Sequence, residues 1–252
     1  DRGLIRYLYR RKHTTPFEMC EIKLHCKMPL FVARQWIRHR TANVNEMSGR
    51  YSILPNEFYV PKAENMQEQS KKNKQGRGET IDPILGAWVF RMFKEEAERQ
   101  YSNYQAMLND DGEGNPVDEF EPMVARELAR MGLGLNFYTE WYWKIDLHNL
   151  LHFLSLRMDA HAQYEIRVFA DIIGAIVSKW CPHAWEAFND YHPYRNAHTF
   201  SAQEMAVLKQ LAFMACAGGE PDKLRTLLKP LLVDSGSSAR ERKDFWSALE
   251  ML

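Results

Sequence analysis

A strict alternation of apolar and polar residues runs through residues 20–28. Successive side chains of a β-strand point to opposite faces, so this spacing predicts a half-buried strand with Ile22, Leu24 and Cys26 on its buried face. Pro29 ends the alternation and suits the first turn of a helix. The sequence therefore predicts a sheet strand that leads directly into a helix, and the rest of the fold has to cover the buried face of that strand.

Helical periodicity dominates the rest of the chain. Helices are predicted over residues 3–12, 30–37 and 84–108, from Pro122 onward, from Asp146 to Arg157, and over 165–180, with further strands near 58–60 and over 136–145. Residues 62–80 are polar and poor in aromatic side chains, which predicts a mobile surface loop. Few strands among many helices predict an α+β fold.

The composition changes after residue 190. Residues 201–217 have a helical pattern, Gly218 to Pro221 interrupt it, and a charged helix is predicted at the end of the chain. We therefore divide the chain into a core domain, residues 1–190, and a helical C-terminal extension, residues 191–252.

Charge and hydropathy exclude several classes of protein. The chain has 33 Lys and Arg and 33 Asp and Glu residues, so it lacks the basic excess of a general nucleic-acid binder. No apolar run approaches the ~20 residues that a membrane span requires, and residues 1–7 lack the layout of a signal peptide. Four cysteines without a CxxC pair predict reduced thiols. We expect a cytoplasmic protein that binds neither a nucleic-acid polymer nor a membrane.

A dense cluster of functional side chains follows the helix predicted over residues 30–37. It begins with Arg38-His39-Arg40 and ends with Ser48-Gly49-Arg50. Guanidinium groups present planar forks of donors that match phosphates and carboxylates, and the Ser-Gly pair lets the backbone approach an anion closely. With Arg130 and Arg157 elsewhere in a neutral chain, the cluster predicts a site for one or two small anionic molecules.

Two histidines, His148 and His152, are spaced to share one helix face. A zinc protease with this spacing needs a glutamate next to the first histidine, and the chain has Asn149 there. A metal site completed by His161 or Asp159 is the less favoured alternative, and a helix face that contacts a polar ligand is preferred. The chain has neither GxGxxG nor GxxxxGK[ST], so any cofactor must bind to another scaffold.

The cluster also carries a family resemblance. Arg38-His39-Arg40, seven residues and Ser48 form the RHR-x7-S motif, within the longer string FVARQWIRHRTANVNEMSGRYS. The chain resembles the flavin-dependent thymidylate synthases, the ThyX family, and the similarity continues through HTTPFE, LNFYT and LRMDAHAQYEI. It covers roughly residues 1–190. The resemblance implies a ThyX-like catalytic domain over 1–190, with a small, mainly antiparallel sheet and several long helices, and a first family strand that lies before residue 1.

The resemblance implies an activity as well. Members of this family methylate dUMP to dTMP; methylenetetrahydrofolate supplies the carbon, and FAD reduced by NADPH supplies the hydride. They are homotetramers with active sites at subunit interfaces. An alternative within the family is a methylase or hydroxymethylase of another pyrimidine nucleotide. An RNA-binding module is the alternative from another class, and the neutral charge and the lack of RNP, KH or zinc-finger motifs argue against it.

The family motifs assign roles to individual residues. The implied catalytic residues are Arg157, Ser48 and His39. The implied dUMP-binding residues are Gln35, Arg38, Glu46, Ser48, Gly49, Arg50, Arg130 and Arg157. The implied FAD-binding residues are Thr15, Arg38, His39, Arg40, Glu46, Asp146, His148 and His152, and no metal is expected. Four positions depart from the family pattern: Asn43 replaces a usual Ser, and Asp146, His148 and His152 stand where Asn, Arg and Asn are common.

Arg157 is the residue on which we expect the chemistry to depend. Beside the uracil ring, its guanidinium would stabilise the negative charge that develops as N3 loses its proton, and this raises the electron density at C5. Such activation replaces a cysteine nucleophile, and none of the four cysteines has the basic surroundings of an activated thiol.

Overall fold

The computed structural model describes residues 1–71, 74, 76–192, 201, 203, 205, 226, 228–230, 239, 241–243 and 245. The chain forms two compact units, Asp1–Ala197 and His198–Leu252. In the second unit Gln203, Met205 and Thr226 are among the described residues and are helical. The predicted break at residues 218–221 and most of the two predicted helices around it lie outside the described residues, so the helical extension stays a prediction.

The first unit contains eight α-helices and five strands among its described residues. The helices are α1 (Arg2–Arg10), α2 (Thr15–Glu18), α3 (Leu30–Trp36), α4 (Pro83–Leu108), α5 (Arg126–Ala129), α6 (Leu147–Arg157), α7 (Tyr164–Trp180) and α8 (Pro182–Tyr191). The strands are β1 (Glu21–Pro29), β2 (Asn43–Glu46), β3 (Gln67–Gln69), β4 (Arg77–Thr80) and β5 (Tyr138–Asp146). Short 3₁₀ turns cover Ala63–Asn65 and Arg130–Gly132. In this part of the chain no helix is both long and apolar enough to span a membrane.

A three-stranded antiparallel sheet forms the centre of this unit. β5 lies between β1 and β2, with Leu24 and Val44 both opposite Trp143. The alternation of β5 turns Trp141, Trp143 and Ile145 to one face, where all three are buried. This arrangement confirms the predicted α+β fold with a small antiparallel sheet.

Helices α3 and α6 cover the buried face of the sheet through aromatic contacts. Trp36 of α3 stacks on Phe153 of α6 at 5.0 Å and meets Trp143 edge-on at 5.1 Å between ring centroids. Burial of such rings provides most of the packing energy, and edge-to-face pairs add about 0.5–1.5 kcal/mol each. Arg38 and His39 come just after α3, and Arg157 is the last residue of α6. The packing of the two helices therefore positions the backbone from which these three side chains extend.

A second hydrophobic cluster positions the loop that follows β2. Tyr104 of α4 accepts a hydrogen bond from the Leu54 amide at 3.1 Å, and Tyr101 donates to the Leu54 carbonyl at 3.0 Å. Tyr104 is fully buried, and Phe137 packs in the same cluster. Helix α4 thus holds the loop over residues 48–54 against the core through hydrogen bonds to the amide and to the carbonyl of Leu54.

Several local predictions were wrong. Residues 62–80 are not an irregular loop, because they contain a 3₁₀ turn and the hairpin β3–β4 with Met66 buried beneath it. Residues 58–60 form no strand; Phe58 makes a single bridge to Phe137. The helix predicted from Pro122 is shorter, since α5 begins at Arg126 and continues as a 3₁₀ turn. Three further elements, α2, β2 and α8, had not been predicted.

Candidate functional site

The end of β2, the following loop and the Arg130 turn enclose a cavity of about 450 Å³, which we call the Ser48 pocket. Its lining residues are Leu30, Glu46, Met47, Ser48, Gly49, Leu54, Arg130, Met131, Leu133, Tyr138 and Thr139. Four of the residues implied to bind dUMP therefore meet in one cavity: Glu46, Ser48, Gly49 and Arg130.

Gly49 is buried at the wall of the Ser48 pocket. A Cβ atom there would lie 3.1 Å from Cδ1 of Leu54 and 3.3 Å from Cδ of Arg130, closer than most real contacts. The backbone of Leu54 is held by α4, so room could be made only by movement of its side chain or that of Arg130. The absence of a side chain keeps the backbone of Gly49 open to a ligand, as expected of a loop that cradles an anion.

The polar groups of the Ser48 pocket are only partly satisfied within the protein. The Ser48 hydroxyl accepts a bond from the Arg50 amide at 3.3 Å, and Thr139 donates to the Glu46 carboxylate at 2.6 Å. Among the described residues no carboxylate forms an ion pair with Arg130, which is half-buried. An uncommitted guanidinium beside a hydroxyl and an open backbone is a suitable site for a phosphate.

Arg157 and His39 form the second feature of the site. Nε of Arg157 donates to Nε2 of His39 at 3.1 Å, and the imidazole lies edge-on to Phe153 at 4.9 Å. Burial, the Arg157 charge and His152 together lower the pKa of His39 to about 4. His39 is therefore neutral near pH 7, with Nε2 as acceptor and the proton on Nδ1. This bond fixes the guanidinium of Arg157, whose own pKa is lowered by burial.

A second cavity, the His148 pocket, has a volume of about 420 Å³. It is lined by Tyr9, Lys12, His13, Thr14, Phe17, His148, Asn149, Leu151, His152 and His192. The ring of His152 lies 6.2 Å from that of His39, so this cavity borders the Arg157–His39 pair. Asp146 caps α6 at the edge of this region by accepting from the amide of Asn149 at 2.9 Å and from its side chain at 2.7 Å.

The remaining predicted residues do not line either cavity. Thr15 is exposed and adjoins Thr14, a lining residue. Arg38 and Arg40 are exposed, and Arg50 pairs with Glu127 at 3.1 Å instead of lining the Ser48 pocket.

Two further observations bear on ligands. Gln35, implied to bind dUMP, has a buried amide oxygen without a hydrogen-bond partner among the described residues. His161 pairs with Asp159 at 2.9 Å, and within the described ranges no three His, Cys, Asp or Glu side chains converge to hold a metal ion.

Sequence reasoning missed several lining residues. Thr139 stands in the LNFYT string, but its bond to Glu46 depends on the pairing of β2 with β5, and β2 was not predicted. His13 stands beside Thr14 in the HTTPFE string, which signalled its position. For Lys12 and His192 no sequence signal existed, because His192 reaches the cavity only through the packing of α8 on α1.

Several known proteins are similar to this chain. A family described as thymidylate synthase complementing protein matches residues 1–183. A flavin-dependent thymidylate synthase of Ruegeria pomeroyi is 51% identical over 245 residues, 97% of this chain and 74% of that protein. One from Rickettsia conorii is 58% identical over 192 residues, 76% of this chain and 65% of that protein, so the chain spans about two thirds of that relative.

Solved structures are similar too. The crystal structure of a UMP/dUMP methylase, PolB from Streptomyces cacaoi bound with 5-Br UMP, superposes with a TM-score of 0.68 at 31% identity. The superposition covers 78% of this chain and 85% of that protein.

Proposed function

The chain belongs to the family of flavin-dependent thymidylate synthases, and from that membership we propose that it methylates dUMP to dTMP. The proposed carbon donor is methylenetetrahydrofolate, and the proposed reductant is NADPH acting through bound FAD. The observation that carries the proposal is the Ser48 pocket, where a hydroxyl and an open glycine backbone meet a guanidinium that has no carboxylate partner among the described residues.

The Ser48 pocket would hold the phosphate of dUMP. Ser48 offers its hydroxyl, Gly49 its backbone amide, and Arg130 its guanidinium, a combination that recurs at phosphate sites. Arg50 and Arg38, the other implied contacts, are exposed and lie near enough in sequence to complete the site from its rim.

The pyrimidine ring would extend from there toward α3 and Arg157. No group of the described part of the chain donates to the buried amide oxygen of Gln35, a state that costs about 1–3 kcal/mol unless a ligand supplies the donor. Arg157, oriented by His39, would donate to the ring and stabilise its negative charge as N3 loses a proton. The electron density at C5 would rise without attack by a cysteine. This agrees with the pKa values of Cys26 and Cys181, which burial raises to about 11 and about 12.

FAD is assigned to the other residues of the family pattern: Thr15, Arg38, His39, Arg40, Glu46, Asp146, His148 and His152. The His148 pocket fits an anionic dinucleotide, because it presents Lys12 and several imidazoles. When bound, the reduced flavin supplies the hydride that completes the methyl group. His39, neutral and packed on Phe153, would keep the boundary between the two ligands uncharged.

We also propose that the enzyme is a homotetramer. Two helices expose apolar faces that a second copy would cover. These apolar faces consist of Ile84, Leu85, Trp88, Met92 and Phe93 on α4 and of Val168, Ile172 and Ile176 on α7. We assign the reaction to the cytoplasm, in agreement with the free thiols of Cys20, Cys26 and Cys181.

The proposal is tested by release of tritium from C5-labelled dUMP in the presence of methylenetetrahydrofolate and NADPH, with UMP as a parallel substrate. We expect release from dUMP together with dTMP formation. If the protein contains flavin and releases no tritium from dUMP, the assignment is refuted. The favoured alternatives would then be methylation of another pyrimidine nucleotide or hydroxymethyl transfer. The names of the curated relatives do not favour those alternatives.

A further inference from the structure

Thr139 brings a hydroxyl to the apolar face of β5. It shares the buried face of this strand with Trp141, Trp143 and Ile145, and only 4% of it is exposed. A buried hydroxyl without a hydrogen bond destabilises a fold, and valine has the same shape and also favours strands. The hydroxyl at this position therefore points to a role that valine could not fill.

The partner of this hydroxyl is the carboxylate of Glu46. Oγ1 of Thr139 donates to Oε1 of Glu46 at 2.6 Å, a length typical of a charge-assisted hydrogen bond. Glu46 lies opposite Trp141 in the pairing of β2 with β5, so Thr139 is its diagonal neighbour. The pairing continues beyond Glu46, because the Met47 amide donates to the Glu140 carbonyl at 2.9 Å. Both the backbone and the side chain of Glu46 are thus held, although the residue is exposed.

The bond to Thr139 occupies one oxygen of a carboxylate in the wall of the Ser48 pocket. Both residues line that cavity, and Glu46 lies two positions before Ser48. In the described part of the chain no cation pairs with Glu46, and its Oε2 has no hydrogen-bond partner. An ionised carboxylate only accepts hydrogen bonds, so this second oxygen suits a donor group of the ligand rather than its phosphate.

The nucleotide dUMP offers two donors to such an acceptor, the 3′-hydroxyl of its sugar and the N3–H of its ring. In the proposed function the phosphate lies in the Ser48 pocket and the ring extends toward Arg157. The sugar is then the part of the nucleotide next to the phosphate, and its 3′-hydroxyl is the donor that Glu46 would meet.

We propose that Thr139 is a positioning residue for nucleotide recognition: it holds the Glu46 carboxylate so that the second oxygen accepts a hydrogen bond from the 3′-hydroxyl of dUMP. This inference rests on the proposed function. Because the side chain of Glu46 is ordered before the ligand arrives, binding does not have to order it. The fixed geometry also keeps the negative charge of Glu46 at the sugar and away from the phosphate, which a mobile carboxylate would repel.

The test compares dUMP with 2′,3′-dideoxyuridine 5′-monophosphate, which lacks only the 3′-hydroxyl. Dissociation constants of both ligands are measured by equilibrium titration of the flavin-loaded full chain. The unmodified chain should bind dUMP about ten-fold more tightly than the analogue, as expected of one hydrogen bond to a charged group. Thr139→Val should narrow this ratio to about two-fold by weakening the binding of dUMP alone. Thr139→Ser keeps the hydroxyl and should retain the ratio.

Further variants show whether Thr139 acts through Glu46. Glu46→Ala should abolish the ratio, and adding Thr139→Val to it should change the ratio no further. Thr80→Val, exposed in β4 and outside the pocket, should behave as the unmodified chain. In turnover, Thr139→Val should raise KM for dUMP and preserve kcat, because the contact to the sugar is the same in the ground state and the transition state. Thr139→Ala repeats the measurement of the ratio if the valine variant does not fold.

The outcomes separate this inference from the proposed function. A merely structural role for Thr139 would weaken the binding of both ligands equally, so an unchanged ratio in Thr139→Val overturns the inference and leaves the proposed function intact. Equal binding of the two ligands by the unmodified chain has the same consequence. A folded, flavin-loaded chain that binds neither nucleotide overturns both.

Discussion

Among the described residues the guanidinium of Arg157 makes one side-chain hydrogen bond, from its Nε to His39, and its two amino groups make none. We predict that Arg157→Ala lowers kcat for tritium release by about 10²–10³-fold, the usual cost of removing one donor that stabilises developing charge. Cys181→Ala serves as the comparison and should retain turnover, because burial raises the pKa of that thiol to about 12. Lost turnover in the Cys181 variant would contradict the mechanism.

Gly49 tests the phosphate assignment separately from the chemistry. In Gly49→Ala the new Cβ would meet Leu54 at 3.1 Å and Arg130 at 3.3 Å. We expect dUMP to bind at least about ten-fold more weakly in an equilibrium titration, because a loss of about 1.4 kcal/mol in binding free energy is enough for that change. The flavin content should stay unchanged. Gly3→Ala, which meets nothing within 4 Å, is the matched control. Unaltered dUMP binding in Gly49→Ala would remove the phosphate from this loop.

His39 gives a prediction about stability and pH. Its folded pKa of about 4 lies below the ordinary value near 6.5, so the unfolded chain binds more protons between these two values. The free energy of unfolding should therefore decrease as the pH falls from 6.5 to 4, by about 1–2 kcal/mol from this half-buried ring after allowance for solvent screening. Urea unfolding at several pH values measures the slope, and His39→Gln should make it shallower; an equal slope would contradict the assignment.

At the scale of elements, the hairpin β3–β4 is attached to α7 through one buried carboxylate. Glu165 accepts from Arg77 at 2.5 Å, from Tyr59 at 3.1 Å and from Gln163 at 3.0 Å. Arg77→Ala would leave this buried charge without its cationic partner, which should cost about 3 kcal/mol in the free energy of unfolding. Arg91→Ala removes an exposed pair to Glu95 at 3.9 Å and should cost less than about 0.5 kcal/mol. If both variants lose the same free energy of unfolding in urea denaturation, the Arg77–Glu165 contact does not stabilise the fold.

The elements also show what a sequence can and cannot predict. β1 was predictable because its apolar and polar residues alternate, and β5 because its run is rich in aromatic side chains. α4, α6 and α7 were predictable because their periodicity is long. β2 was missed because Asn43, Asn45 and Glu46 are exposed and only Val44 is half-buried, so an edge strand of four residues has no alternation to detect. The hairpin over 67–80 was missed for the same reason, since nearly every side chain in it is polar.

The residues of the site also fall into those that the sequence could predict and those that it could not. Ser48 and Gly49 are adjacent in the family motif, and the resemblance assigned Arg130 to the same ligand, so their meeting in one cavity could be predicted. The Arg157–His39 bond joins the ends of two helices that were both predicted, but the bond itself was not. Lys12 and His192 could not be predicted, since their place at the His148 pocket depends on how α1 packs on α8. Local patterns predict which residues carry the chemistry, and tertiary packing decides which of them share a cavity.

At the scale of the whole molecule, α4 and α7 carry apolar faces that the described residues of the first unit leave exposed. Trp88 and Phe93 are each about half exposed, at 49% and 47%, and Ile172 is 57% exposed. Large exposed apolar side chains repeat along each of the two helices, and faces of this kind mark protein interfaces. A second copy is the occupant that the proposed tetramer supplies.

Charged substitutions on these faces should therefore separate the subunits. Trp88→Glu and Ile172→Glu place a carboxylate where a partner would exclude water, which disfavours association by several kcal/mol. Light scattering after size-exclusion chromatography should show a smaller particle, and flavin content should fall with it, because active sites at interfaces lose part of their walls. Val117→Glu is the control, since Val117 is 72% exposed and lies on neither helix. If all three variants keep the mass of the unmodified protein, the assembly uses other surfaces; if the mass falls while flavin remains bound, the flavin site is complete within one chain.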